Sequence, residues 1–198
     1  MNLTFFIQSN TVDLKRYTIK DIPGSSGRMD VIVRCILAAL LESETFENIE
    51  VWVFLKNYGT FIYNSDMVRK DSFPRNELLL TDSFVKLIKS GNSPEELIEN
   101  PISDIKKSNL TIIDAIKFFK EKGCKIFILN EQGVPFSKFN DKFQREENLL
   151  FVIGDQSGTI IDSKSLIELN FPNISLGNRS FLASSVIRLI KMNLSALI

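Results

Sequence analysis

Ten residues near the N-terminus, Asp21-Ile22-Pro23-Gly24-Ser25-Ser26-Gly27-Arg28-Met29-Asp30, gather the groups that bind an anion. Two glycines bracket two serines, and an apolar periodic run follows at once, so the loop feeds a helix. Free backbone N–H groups, hydroxyl donors, the positive end of that helix and a guanidinium would all favour negative charge. Gly24, Ser25, Gly27 and Arg28 are therefore candidates to hold a substrate's anionic group. Asp30 does not fit an anion pocket; its carboxylate suggests proton handling or orientation of Arg28. In the second half, three apolar runs break into small or polar residues: Ile128-Leu129-Asn130-Glu131-Gln132-Gly133, Phe151-Val152-Ile153-Gly154-Asp155 and Ile174-Ser175-Leu176-Gly177-Asn178-Arg179. In open α/β sheets ligands sit at the carboxyl ends of strands, and Gly154 and Gly177 would let backbone approach a ligand closely.

The composition narrows the chemistry. The chain contains no histidine, which removes Ser-His-Asp catalysis, Cys-His proteolysis, His-ligated zinc and an imidazole base. Acid–base work falls to Asp, Glu, Lys, Tyr, Cys or the substrate. Lys+Arg and Asp+Glu both number 24, which argues against broad charge-driven coating of nucleic acid but leaves room for a local basic groove. Arg16, Lys20, Arg34, Arg69, Lys70, Arg75 and Arg179 are candidate phosphate contacts. Cys35 and Cys124 read as reduced core thiols rather than a disulfide. No Gly-x-Gly-x-x-Gly follows a strand and no Walker sequence occurs, so a Rossmann or P-loop nucleotide site is not expected. The first residues read as a strand rather than a signal peptide, and no apolar run reaches ~18 residues. The expectation is a soluble cytoplasmic protein without a metal or membrane span.

The elements that must position these groups follow from periodicity. Residues 3–8, 51–55, 61–63, 125–129, 149–153 and 174–176 read as strands. Residues 29–41, 83–89, 111–121 and 178–197 read as helices, and Ser93-Pro94-Glu95-Glu96 as a capped helix start. Residues 74–80 read as loop then strand, the polar stretch to Asn109 as a connector, and residues 130–148 as a mobile excursion or surface loop. Phe136, Phe139 and Phe143, about one helical turn apart, are candidates to cover an interface. Strands alternating with helices predict an α/β fold with an open, mostly parallel sheet. With 198 residues, 44% of them hydrophobic, the chain suits one large domain or two small ones.

Taken together, the loop from Ile19 to Asp30, the Phe151-Val152-Ile153-Gly154-Asp155 strand end, and Ile174-Ser175-Leu176-Gly177 with Leu182-Ala183-Ser184 resemble the TrmY family. These are tRNA pseudouridine-54 N1-methyltransferases of the SPOUT class. The resemblance runs over nearly the whole chain, and the glycine-serine-arginine-aspartate loop is its most specific part. It implies a single SPOUT domain over residues 1–198 with a C-terminal trefoil knot, the final helix threading under a loop. It implies S-adenosyl-L-methionine held bent among the three strand-end loops, with Leu129, Gly154, Asp155, Leu176, Gly177 and Phe181 where the class contacts cofactor. It also implies a tRNA substrate and a homodimer with the site shared across the interface. Archaeal relatives often carry His and Asn where this chain has Leu182 and Ser184; the Leu-Ala-Ser version resembles bacterial-type members. On this reading Asp30 is the candidate base for the N1 proton and Arg28 its partner, the two catalytic candidates. Methylation of ribosomal RNA pseudouridine, or a catalytically silent SPOUT-like RNA-binding module, stays open at this point.

Overall fold

The computed structural model describes residues 1–41, 44–89, 99–154, 164–177 and 179–198. Its strands are β1 (Asn2–Ser9), β2 (Asn48–Leu55), β3 (Gly59–Asn64), β4 (Lys106–Ser108), β5 (Lys125–Pro135), β6 (Asn148–Ile153) and β7 (Asn173–Ser175). They form one sheet in the order β4-β3-β2-β1-β6-β5-β7. The pairs β1–β2, β1–β6, β5–β6 and β5–β7 are parallel, and β3 and β4 close one edge antiparallel. The helices are α1 (Ile22–Ser25), α2 (Met29–Leu40), α3 (Glu77–Lys89), α4 (Ile112–Glu121), α5 (Asn140–Arg145), α6 (Lys164–Glu168) and α7 (Ala183–Ser195). The mixed α/β fold with a largely parallel sheet is as the sequence predicts.

Both faces of the central strands are covered, which is why these strands read as nearly unbroken apolar runs. On one face Phe5, Ile7, Val51, Val53, Phe127, Phe151 and Ile153 pack with Met29, Ile32, Ile36 and Leu40 of α2 and Ile187, Ile190 and Leu194 of α7. On the other, Phe6, Trp52, Phe54, Ile126, Leu150 and Val152 meet Ile112, Ala115 and Ile116 of α4. α4 starts at Thr111, whose hydroxyl accepts from the Asp114 N–H at 3.2 Å, a side-chain cap. Cys35 and Cys124 are free and buried and belong to opposite faces, as expected of core thiols.

Five sequence expectations are corrected. Residues 77–80 begin a helix, not a strand. Asn76 accepts from the Leu79 N–H at 2.9 Å, and Leu80, Phe84 and Leu87 recur on one buried face while Leu78 and Leu79 stay exposed. The stretch 130–148 is not a loose excursion: β5 runs on to Pro135, and a 3-10 turn at Phe136–Phe139 leads into α5. Phe136 and Phe143 are buried in an aromatic stack with Phe127 and Phe151. They belong to the sheet's own core rather than to an interface. The connector before Asn109 contributes edge strand β4, pairing with β3. The last helix begins at Ala183, not at 178. The expected helix start at Ser93 lies outside the described residues.

α7 lies across α2, and one buried side chain ties the two together. The Lys191 ammonium donates to the carbonyls of Ala38 at 3.1 Å, Ala39 at 2.8 Å and Leu41. These are terminal carbonyls of α2, whose end favours a cation. Lys191→Met keeps the apolar stem and removes the donor. It is expected to cost about 1–3 kcal/mol, read as a lower denaturant midpoint; an unchanged midpoint would contradict the tie.

Candidate active site

The site opens at the carboxyl ends of β1, β5, β6 and β7, where a parallel sheet places its ligands. A cavity of about 690 Å³ is lined there by Gln8 and Ser9 of β1, by Leu129 and Glu131 of β5, and by Ile153 at the end of β6 with Gly154 after it. Ser175 at the end of β7 closes it with Leu176 and Gly177, and Arg179 to Ser184 lie beyond them. Gly27, Arg28 and Arg34 form the wall opposite these loops. Of the residues the resemblance assigns to cofactor, Leu129, Gly154, Leu176, Gly177 and Phe181 thus meet in one cavity, and Asp155 lies outside the described residues.

Two backbone features build this wall. Ser175 accepts from the Gly177 N–H and donates to the Gly177 carbonyl, both at 3.1 Å, turning the chain at the end of β7. Gly133 packs flat on β7: a Cβ there would sit 2.7 Å from backbone atoms of Asn173 and Ile174, so only glycine lets β5 and β7 approach. The β5–β7 register shifts between Leu129 and Val134, which pushes Asn130, Glu131 and Gln132 out into the cavity wall.

The N-terminal loop uses most of its donors on itself. Asp21 accepts from the Gly24 N–H at 3.1 Å. Ser25 accepts from the Thr18 N–H at 2.9 Å. Ser26 is fully buried; its hydroxyl donates to the Ile22 carbonyl at 2.6 Å and accepts from the Met29 N–H at 3.0 Å, capping α2. Gly24 and Ser25 therefore stand away from the cavity and do not form the anion cradle that the sequence suggests. What the loop presents is Gly27 and Arg28. Both adopt positive φ, 59° and 73°, a strained conformation for arginine. At Gly27 an added Cβ would run into the Thr11 carbonyl oxygen, so the loop is pinned against residues 11–13.

Asp30 sits behind this wall. Its side chain is 3% exposed, against 45% for Arg28. Arg28 grips it through Nε to Oδ1 at 3.0 Å and Nη2 to Oδ2 at 3.2 Å. Arg34 donates to Oδ2 at 2.6 Å and approaches Glu77 at 3.6 Å. Burial pushes the Asp30 carboxyl up, but hydrogen bonds and charge from Arg28, then Arg34, outweigh it and hold the group below the ordinary carboxylate range. The same pairing raises the Arg28 guanidinium. The two arginines, not the carboxylate, face the cavity.

Of the other basic candidates, Arg179 lines the cavity. Arg69 pairs with Asp66 at 3.1 Å, Lys70 with Asp104, and Arg75 donates to the Val68 carbonyl at 3.1 Å. Arg16 and Lys20 are exposed. The sequence reading missed Gln8, Ser9 and Glu131 as cavity residues. The first two carry the same signal as the other strand ends, an apolar run breaking into Ser9-Asn10-Thr11. Among the described residues no group of His, Cys, Asp and Glu could hold a metal, and no helix is long and apolar enough to cross a membrane.

The sequence profile of a family described as "Putative SAM-dependent RNA methyltransferase" matches residues 2–197. The chain belongs to this family. Its cofactor is accordingly S-adenosylmethionine, and the cavity offers that molecule apolar side chains from Ile7, Leu129, Ile153, Ile174 and Leu176. A Thermococcus onnurineus protein named tRNA (pseudouridine(54)-N(1))-methyltransferase is 29% identical, covering 98% of this chain and 97% of the relative. A Methanococcus maripaludis protein of the same name is 31% identical over 87% of each chain. Among solved structures, Archaeoglobus fulgidus Nep1 bound to S-adenosylhomocysteine matches all of this chain and 99% of its own at TM-score 0.65 and 17% identity, a likeness of fold.

The electrostatics carry a prediction. A carboxyl whose folded value is depressed contributes stability that is complete above the unfolded value of about 3.9 and is lost as pH falls through the folded one. Asp30→Asn leaves Arg28 and Arg34 without their anion. Stability at neutral pH should fall by about 2 kcal/mol, and the gap to the parent should close in acid below pH ~4. A gap constant with pH in thermal or denaturant melts would contradict the paired, ionised carboxylate.

Proposed function

We propose that the chain transfers a methyl group from S-adenosylmethionine to N1 of pseudouridine 54 in tRNA. The observation that carries this reading is the single cavity in which the ends of β5, β6 and β7 meet the Gly27-Arg28 loop. It joins the family membership and the name shared by the archaeal relatives. Leu129, Gly154, Leu176, Gly177 and Phe181, with Asp155, hold the methyl donor. The cofactor supplies an electrophilic methyl carbon on a sulfonium. Gly27 and Arg28 form the substrate side, and Arg28, half exposed and rigidly held, meets the RNA phosphate.

Methyl transfer from a sulfonium is governed by placing the nucleophile in line, so positioning supplies most of the rate. Asp30 serves it as a positioning residue. It fixes Arg28 and Arg34 and balances their charge, the second of the two roles that its place in the sequence suggests. Residues 1–198 act as one SPOUT domain on this reading. The resemblance in the strand-end motifs supports the knot. Phe181 and Leu182 at the cavity, exposed at 39% and 58%, and Met192 farther along α7, exposed at 63%, support burial against a second copy. On this reading the chain acts on tRNA in the cytoplasm.

Mass mapping of nucleosides after incubation with S-adenosylmethionine tests the reading. Transfer RNA carrying pseudouridine 54 should gain one N1-methyl group at that position, and tRNA with uridine 54 should gain none. Methylation of the uridine form, of ribosomal RNA alone, or of neither substrate would overturn it.

A further inference from the structure

N1 of pseudouridine carries a proton that must leave as the methyl group arrives, and the chain has no histidine to take it. Asp30 is turned away, its two oxygens engaged by Arg28 and Arg34. Among the described residues lining the cavity, the side chains that ionise are Arg28, Arg34, Arg179 and Glu131. The arginines keep their protons throughout. Glu131 is thus the one base on the described wall.

Its placement is built rather than incidental. The extension of β5 beyond Leu129 carries it, and the register shift against β7 turns that extension into the cavity. Asn130 accepts from the Gln132 N–H at 2.9 Å, fixing the backbone on either side of Glu131. Ser180, from the loop before α7, donates its hydroxyl to Glu131 Oε1 at 2.6 Å, a short charge-assisted bond. That bond orients the carboxylate and leaves Oε2 without a hydrogen-bond partner among the described residues.

We propose that Glu131 is the proton acceptor of the reaction, with Ser180 as its positioning residue. This rests on the methyltransferase reading above. The step balances: the N1–H proton passes to Glu131 Oε2, and the N1 electron pair forms the bond to the methyl carbon. The carbon–sulfur bond breaks with its electrons on sulfur, leaving neutral S-adenosylhomocysteine. Water then takes the proton from Glu131. The charged groups sharing the cavity with Glu131 are Arg28 and Arg34 from the substrate wall and Arg179 beside Ser180.

The test compares Glu131→Gln, Glu131→Asp, Ser180→Ala and Asp155→Asn with the parent in single-turnover methyl transfer to pseudouridine-54 tRNA across pH, with calorimetric S-adenosylmethionine binding alongside. Glutamine keeps the shape and the acceptor for Ser180 but takes no proton. Transfer by Glu131→Gln should fall roughly 10²–10⁴-fold with cofactor affinity held within about twofold, and the acidic limb of the rate profile should vanish. Glu131→Asp should recover part of the rate, and Ser180→Ala should lose part of it. Transfer by Glu131→Gln within about threefold of the parent, a rate loss that follows lost cofactor affinity, or loss of the acidic limb in Asp155→Asn instead, would overturn the proposal. A parent that binds cofactor yet methylates no pseudouridine fails the functional reading itself. That outcome is separate from an active parent with an active glutamine variant.

Discussion

The parallel pairing of β1 with both β2 and β6 is the constraint on which this molecule depends. β1 is the first strand in sequence but lies in the middle of the sheet, with β6 alongside it from Asn148 onward. Because every strand except β3 runs the same way, the carboxyl ends of the first and last parts of the chain emerge on one edge. The loop after β1 must then leave beside the loops after β5, β6 and β7. A substrate wall encoded near residue 28 and a cofactor wall encoded between residues 129 and 184 become two sides of one cavity. Burial of both sheet faces, with α2 and α7 on one and α4 on the other, makes that arrangement rigid.

Within the site, charge is divided between a buried anchor and an exposed acceptor. Asp30 is clamped by two guanidiniums and kept ionised, so it shapes the electrostatic wall without reaching into the cavity. Placing a carboxylate behind arginines lowers the cost of holding them desolvated and close together. It also fixes Arg28 despite that residue's strained backbone. Glu131 is held by a single hydroxyl and lies open to the cavity. In a chain without histidine the two carboxylates do different work because their surroundings differ, not because their chemistry does.

Much of this was legible in the sequence, for physical reasons. The strands of the parallel core announce themselves because both faces are buried, and α2 and α4 because one face is. The strand-end loops stand out because apolar runs stop abruptly at small or polar residues, and four of the five cofactor candidates that the resemblance assigns within the described residues lie at those stops. Where the reading failed, long-range packing decided. Residues 136–143 look polar, yet two of their phenylalanines complete a stack on Phe127 and Phe151 that no local pattern reveals. Leu78-Leu79-Leu80 looks like a strand until Leu80 alone proves to face α2's layer. Gly24 and Ser25 carry the composition of an anion cradle, but the Gly24 N–H and the Ser25 hydroxyl donate to Asp21 and to the Thr18 and Asp21 carbonyls, a choice made by turn geometry. Asp30 and Glu131 could not be ranked from sequence, since which carboxylate faces a cavity depends on partners 4 and 49 residues away.

The central claim is that the amino-terminal arginine loop and the carboxyl-terminal strand ends form one reaction site. A crystal structure with S-adenosylhomocysteine and a T-arm RNA hairpin containing pseudouridine tests it most directly. The account predicts the cofactor against Leu129, Gly154, Leu176 and Gly177, with the pseudouridine ring between its sulfur and Arg28, and N1 pointing at both the sulfur and the Glu131 carboxylate. Cofactor bound away from these loops, or RNA seated on another face with Arg28 untouched, would contradict it.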